Sequence, residues 1–296
     1  MTETRAVSPP GAALQALARQ ECLSYLRHPL FLVGALLTIV VCIPFSGDAG
    51  DGSTPGLVIG PALAIGVFGL LVMNGLTKRS DRLHAAAGTV VVPERTRTLA
   101  LACATVVPFT AALGFFAFAV WGWHHWPPAA NTLPPDAVSD GWAYVVLFAL
   151  GVLPAVGGPV LGLAVARWVR FRGAAILVSV VLVLVTMVMQ GLVESLRYGR
   201  VFWPWTYFGG PFGVDGDRDR WAVLTGSPQW YCLYLVALCV LGVLVALLHD
   251  HEQPRGRLAR IAGATVVVAL GLGVLAMTQG VQEPIVNPRP SPASGG

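Results

Sequence analysis

The sequence predicts an all-α integral membrane protein of about seven transmembrane helices, and three observations carry that expectation. Seven long apolar stretches follow one another at residues 29–45, 56–77, 98–123, 142–166, 173–193, 229–248 and 261–281. A hydrocarbon core ~30 Å thick needs ~20 helical residues at about 1.5 Å rise each. Six of the seven stretches reach that length, and the first borrows its missing turn from Tyr25–His28. The composition agrees, with 55% hydrophobic and 11% charged residues and a mean hydropathy of +0.69, against roughly 25% charged residues in soluble domains. Finally, Lys and Arg gather in alternate gaps, 14 on one set of sides against 5 on the other.

That asymmetry predicts a cytoplasmic N-terminus and an external tail, because positive charge accumulates on the cytoplasmic side. The gaps 46–55 and 124–141 contain Asp48, Asp51, Asp136 and Asp140 but neither Lys nor Arg, as external loops should. A pI near 9.0 could signal nucleic acid. The basic residues sit in short gaps beside apolar spans, however, which points to membrane lipid headgroups and no nucleic acid. The first stretch follows a polar segment and lacks a small-residue cleavage site, so it reads as a retained span. One Lys against eighteen Arg, with abundant Ala, Val and Gly, suggests a GC-rich bacterial genome and hence a bacterial cytoplasmic (inner) membrane.

Element by element, residues 1–10 look disordered, with Pro9 and Pro10 suited to a first helical turn. Residues 11–27 place Leu14, Leu17, Ala18, Cys22, Tyr25 and Leu26 on one helical arc, with Glu21 an outlier among them. This reads as a helix in the cytoplasmic interface that turns into the membrane at His28–Pro29. The second stretch carries Gly56, Gly60 and Ala64, and the fourth Gly158 and Gly162, at a spacing that lets helix backbones approach closely. Pro61, Pro108, Pro154 and Pro159 predict kinks, since each removes a helical hydrogen bond. The gap 78–97 is the largest cytoplasmic connection, and 167–172 is a tight basic turn between antiparallel neighbours. The external segment 194–228 is too broken by Pro and Gly for one span and too aromatic for a solvated loop. It should lie at headgroup depth or dip in and return, most of all over 198–228. Residues 282–296 read as a flexible tail.

The chemistry is sparse. None of the seven cores contains Asp, Glu, Lys, Arg or His. Carriers driven by an ion gradient usually keep such groups inside despite an insertion penalty of ~3 kcal/mol each. Asn74, Thr77, Ser179, Thr186 and Gln190 are the side chains that could line a path for an amphipathic substrate, or instead bond helix to helix. The five cysteines are scattered without CxxC spacing, so neither a disulfide framework nor a zinc site is expected. His124–His125 sit in an aromatic belt, and His249, Asp250, His251 and Glu252 point to different helix faces, so no metal is expected. HExxH, GxSxG and GxxxxGK[ST] are missing, which argues against an enzyme and against ATP hydrolysis through a P-loop in this chain.

The order of parts resembles a type-2 ABC exporter permease. An interfacial helix (11–27, ending in YLRHPLFLVGALL) precedes two spans, and a basic segment before a proline leads into the third (KRSDRLHAAAGTVVVPERTRTLALA). A short outer loop, a tight inner turn and a long re-entrant-like outer connection complete a six-span unit over 11–248. Residues 249–281 add a cytoplasmic linker and a seventh span that the family pattern does not include. The resemblance implies no catalytic residues and no cofactor in this chain, with ATP and Mg held by a separate cytoplasmic P-loop ATPase subunit. It also implies a second permease copy or a paralogue. The segment 78–97 would couple the two subunits, with Arg79, Arg82, Glu94, Arg95 and Arg97 as candidate contacts. The rival expectation is a polytopic scaffold or assembly protein outside the ABC class.

Overall fold

The computed structural model describes residues 10–42, 57–58, 60–87, 92–125, 138–189, 201–206, 208–211, 221–250, 254–283 and 285–286. The chain is almost entirely helical. In order come α1 (Pro10–Leu26), α2 (Pro29–Cys42), α3 (Phe68–Ala87), α4 (Glu94–Cys103), α5 (Val106–His125), α6 (Asp140–Leu147), α7 (Leu153–Trp168), α8 (Ala174–Met187), α9 (Pro228–Leu247) and α10 (Arg255–Thr278). Five continuous helical runs are long and apolar enough to cross a membrane: Pro61–Leu83, Glu94–His125, Asp140–Trp168, Pro228–Leu247 and Arg255–Thr278. A sixth results if α1 and α2, bent by 56° at their junction, count as one broken span, whereas α8 is a shorter apolar helix. These helices make a membrane-embedded bundle, since lipid cannot satisfy backbone groups that a helix leaves open.

Proline explains where the helices deviate. A wide π-helical turn, Pro61–Val67, opens the α3 run with Pro61 in its first turn. A second, Phe148–Val152, joins α6 to α7 just before Pro154, whose ring would otherwise strike the carbonyl four residues back. The break between α4 and α5 falls at Ala104–Thr105, and Ala104 is the residue four positions before Pro108. Pro159 sits inside α7 without interrupting it. At the expected turn, α1 ends beside His28, and Phe31 donates its N–H to the His28 carbonyl at 3.0 Å as α2 begins.

The small residues set the packing. A Cβ on Gly158 would overlap the Gly66 carbonyl, and one on Gly162 would overlap that of Leu70, so α7 lies with its backbone directly on the α3 run. Gly34 of α2 meets the Ala64 carbonyl in the same way, and Gly242 of α9 faces the Val160 side chain. Without a hydrophobic driving force between helices in lipid, such close approach is how van der Waals contact is gained.

The two ends of the bundle differ. One end, the basic end, carries Arg79, Arg82, Arg95, Arg97, Arg167 and Arg255. The other, the sheet end, is closed by three short antiparallel strands in the order β1 (Gly209–Pro211), β2 (Trp221–Val223), β3 (Ile285–Val286). The strands are an addition to the expected all-α architecture, and β3 falls within 282–296, the segment expected to be a tail. Gly226 and Val281 exchange backbone hydrogen bonds at 2.8 and 3.1 Å, and Ser227 donates its N–H to the Ala276 carbonyl at 2.8 Å. Gly226 (φ +112°) and Gly280 (φ +82°) adopt the left-handed backbone that this tie between α9 and α10 requires.

The segment 201–206 descends from the sheet end into the bundle. Trp203 and Trp205 pack beside Leu70, Leu161 and Leu182, well inside α3, α7 and α8. Tyr231 donates its hydroxyl to the Trp203 carbonyl at 2.7 Å while accepting the Thr206 N–H at 2.9 Å. Tyr234 donates to the Phe202 carbonyl at 2.7 Å. Backbone that would be orphaned at this depth is thereby satisfied by protein.

Candidate functional site

At the basic end, charges from helices far apart in sequence meet. The Arg167 side chain, 2% exposed at the end of α7, places Nη1 2.7 Å from Asp81 Oδ1 of α3. Arg97 of α4 approaches the same oxygen at 2.9 Å. Arg167 Nη1 also lies 3.6 Å from Glu94 Oε1, and His249 Nδ1, just past α9, sits 2.7 Å from that oxygen. Asp250 accepts the Arg95 backbone N–H at 3.2 Å, and its own carbonyl accepts Arg255 Nε at 3.3 Å. Trp168 borders the cluster, its ring edge-on to His249 and its indole N–H given to the Val245 carbonyl. Four helix ends, those of α3, α4, α7 and α9, are thus joined by two carboxylates that each serve two cationic or imidazole partners.

A second pair holds α1. Glu21 is buried and lies 3.2 Å from Arg79 of α3. Burial pushes its carboxyl above the ordinary value, and the Arg79 charge and hydrogen bond only partly oppose that. Burial, followed by the same Arg79 charge, holds His28 below its ordinary value. Glu21 is therefore no misfit on the apolar arc of α1. It is the polar contact by which α1 docks, next to Tyr25, which is fully buried.

Of the five coupling candidates, Arg79, Glu94 and Arg97 are engaged within the chain. Arg82 and Arg95 are exposed; among the described residues Arg82 Nε donates to the Lys78 carbonyl, a local bond at 3.3 Å. Among the path candidates, Thr77 and Thr186 give their hydroxyls to the carbonyls four residues back, both at 2.8 Å. Thr186 also accepts the Trp203 indole N–H at 2.7 Å. Asn74 Nδ2 and Ser179 Oγ are buried with no hydrogen-bond partner among the described residues. Gln190 lies outside the described residues.

Sequence reasoning missed Asp81 and Arg167. Asp81 is the one acid of α3, and Arg167 ends an apolar helix, but nothing local pairs positions 86 residues apart. The His249–Asp250 pair, weighed there as a metal group, instead joins α9 to α4.

The bundle also bears two apolar spaces, both partly open. One of about 180 Å³ is walled by α7 (Leu153–Ala164), α9 (Leu235–Gly242) and Leu182 of α8, under Pro204 and Trp205. The other, about 490 Å³, lies between α2 and α5 beside Ile65 and includes Thr38, Cys42 and Phe115. Comparisons with protein-family models, curated proteins and solved structures find no match for the chain.

Proposed function

We propose that the chain is the membrane-spanning permease subunit of an ATP-driven type-2 ABC exporter in a bacterial cytoplasmic membrane. A separate P-loop ATPase, holding ATP and Mg, supplies the energy, and a second permease copy or paralogue completes the path. In this reading α2 and α8 also cross, α10 is the seventh span, and the basic end with the N-terminus faces the cytoplasm. The supporting observation is the distribution of charge. Among the described residues the span interiors hold no Asp, Glu, Lys, Arg or His, the groups that a carrier driven by an ion gradient usually keeps at that depth.

The basic end narrows the docking surface. Arg79, Glu94 and Arg97 position helices, which leaves Arg82 and Arg95, of the five candidates, as the exposed ones not engaged by another helix through their side chains among the described residues. Reversing both charges should abolish co-purification with the ATPase and the ATP hydrolysis that the pair stimulates, while leaving thermal stability unchanged. Full activity of that double variant would remove the coupling assignment. Solute movement by the purified chain alone on an imposed pH or sodium difference would remove the ATP-driven reading.

One observation favours the rival, a polytopic scaffold or assembly protein. Charges that pair among themselves make a static inner face as well as they make a coupling one. Recovery of a non-ATPase complex in mild detergent would decide for it.

A further inference from the structure

The first turn of α4 carries Glu94 and Arg95, and it cannot complete its own hydrogen bonds. Thr96 and Arg97 give their N–H groups to the Pro93 carbonyl at 3.0 and 3.2 Å. The Arg95 N–H has no carbonyl four residues back within the helix, and Pro93, at the N-cap, offers no side-chain acceptor. The acceptor comes from the far end of the chain: Asp250 Oδ2 takes the Arg95 N–H at 3.2 Å. Asp250 is buried, and a carboxylate placed there also meets the positive end of the helix dipole. One position earlier, His249 Nδ1 lies 2.7 Å from Glu94 Oε1 of the same turn. His249 and Asp250 belong to the link between α9 and α10, and α10 grips that link from its other side. Arg255, the first residue of α10, reaches the Asp250 carbonyl with Nε at 3.3 Å and the His249 carbonyl with Nη2 at 3.4 Å. Contacts thus run from α10 through Arg255, His249 and Asp250 to Glu94 and Arg95. Further along α4, Thr98, Ala100 and Leu101 are buried and anchor the helix without the cap. A turn so placed has two states, ordered when capped and frayed when not.

We infer that the link between α9 and α10 is a latch on the coupling region: Asp250 caps α4 in place of the missing N-cap side chain, and α10, through Arg255, sets whether the turn bearing Glu94 and Arg95 is ordered. The latch stands on these contacts alone. That the turn it orders meets an ATPase rests on the transport reading.

Amide hydrogen exchange of the full-length protein in nanodiscs, with no ATPase added, tests the latch. Asp250→Ala should speed exchange over 94–97 about fivefold, the effect of losing a typical capping oxygen. Asp250→Asn keeps an acceptor and caps about as well as Asp, so it should stay within about twofold of the unmodified protein. Arg255→Ala leaves Asp250 and His249 themselves in place, yet it should speed the same segment about twofold or more as the link loosens. Residues 99–103 should exchange as before in all three. Unchanged exchange over 94–97 in Asp250→Ala would overturn the cap, and unchanged exchange in Arg255→Ala would overturn control by α10. A rise that spreads equally over 99–103 would mean general loosening and overturns the latch as well. Should Asp250→Ala fail to fold, the contrast between Asp250→Asn and Arg255→Ala decides in its place, equal exchange in the two counting against the latch. None of these results touches the transport reading, which the paired reversal of Arg82 and Arg95 tests separately.

Discussion

The basic end and the sheet end of this bundle solve the same problem with opposite chemistry. Each must tie helices that leave lipid at different places in the sequence. The basic end uses side-chain charge: Asp81 of α3 and Glu94 of α4 gather Arg97 of α4, Arg167 of α7 and His249 just past α9. The sheet end uses backbone: Gly226, Ser227, Ala276 and Val281 exchange hydrogen bonds, and tyrosine hydroxyls pin 202–206. Ion pairs tolerate small displacements and respond to pH and partner charge, whereas a backbone ladder has a single register and fails when it is lost. The adaptable end is the one a charged partner can influence.

Three variants would break or sharpen that contrast. The largest effect belongs to Arg167→Ala, which opens a buried gap and leaves Asp81 with Arg97 alone and Glu94 with His249 alone. Removing one partner of a buried pair costs about 3–5 kcal/mol. Asp81 is 40% exposed, so the lower bound is the expectation, read as a fall in melting temperature in detergent.

Gly226→Ala comes next. Its φ of +112° strains any side chain, and the new Cβ would sit 2.8 Å from the Ala276 carbonyl. A loss of about 1–3 kcal/mol follows, and hydrogen exchange should rise at the α9–α10 junction while the basic end stays protected.

The smallest effect is Glu21→Gln, expected within about 1 kcal/mol near neutral pH. Its signature lies in pH dependence. Burial raises the folded carboxyl above its ordinary value near 4.5, so the folded state holds its proton more tightly than the unfolded chain. Stability therefore falls as pH rises from about 4.5 through the folded value. Thermal melts against pH should lose that slope in the glutamine variant, and an unchanged slope would assign it elsewhere.

The apolar helices and their interruptions were legible because both are local. Apolar runs mark length, and Pro61, Pro108 and Pro154 act on the carbonyl four residues back. Gly158 and Gly162 were legible as close-packing residues, although their partner on Gly66 and Leu70 was not. The basic gaps read as topological anchors because position alone predicts that role. Their pairing joins residues 81 to 167 and 94 to 249, and such contacts have no periodic trace in one chain. The strands left none either, since Gly-Gly-Pro and a two-residue Ile-Val segment are too short for an alternating pattern. Thr77 and Thr186, read as possible path residues, bond to their own helices, a habit of threonine in apolar helices.

Asp81 Oδ1 is where α4 and α7 meet, since both guanidinium groups reach for that one atom. Two helices leashed to a common point have correlated fates: a tug on the end of α3 stretches both leashes together. Release at this face would then come as one concerted event, and a probe on α4 should report it at the same moment as a probe on α7.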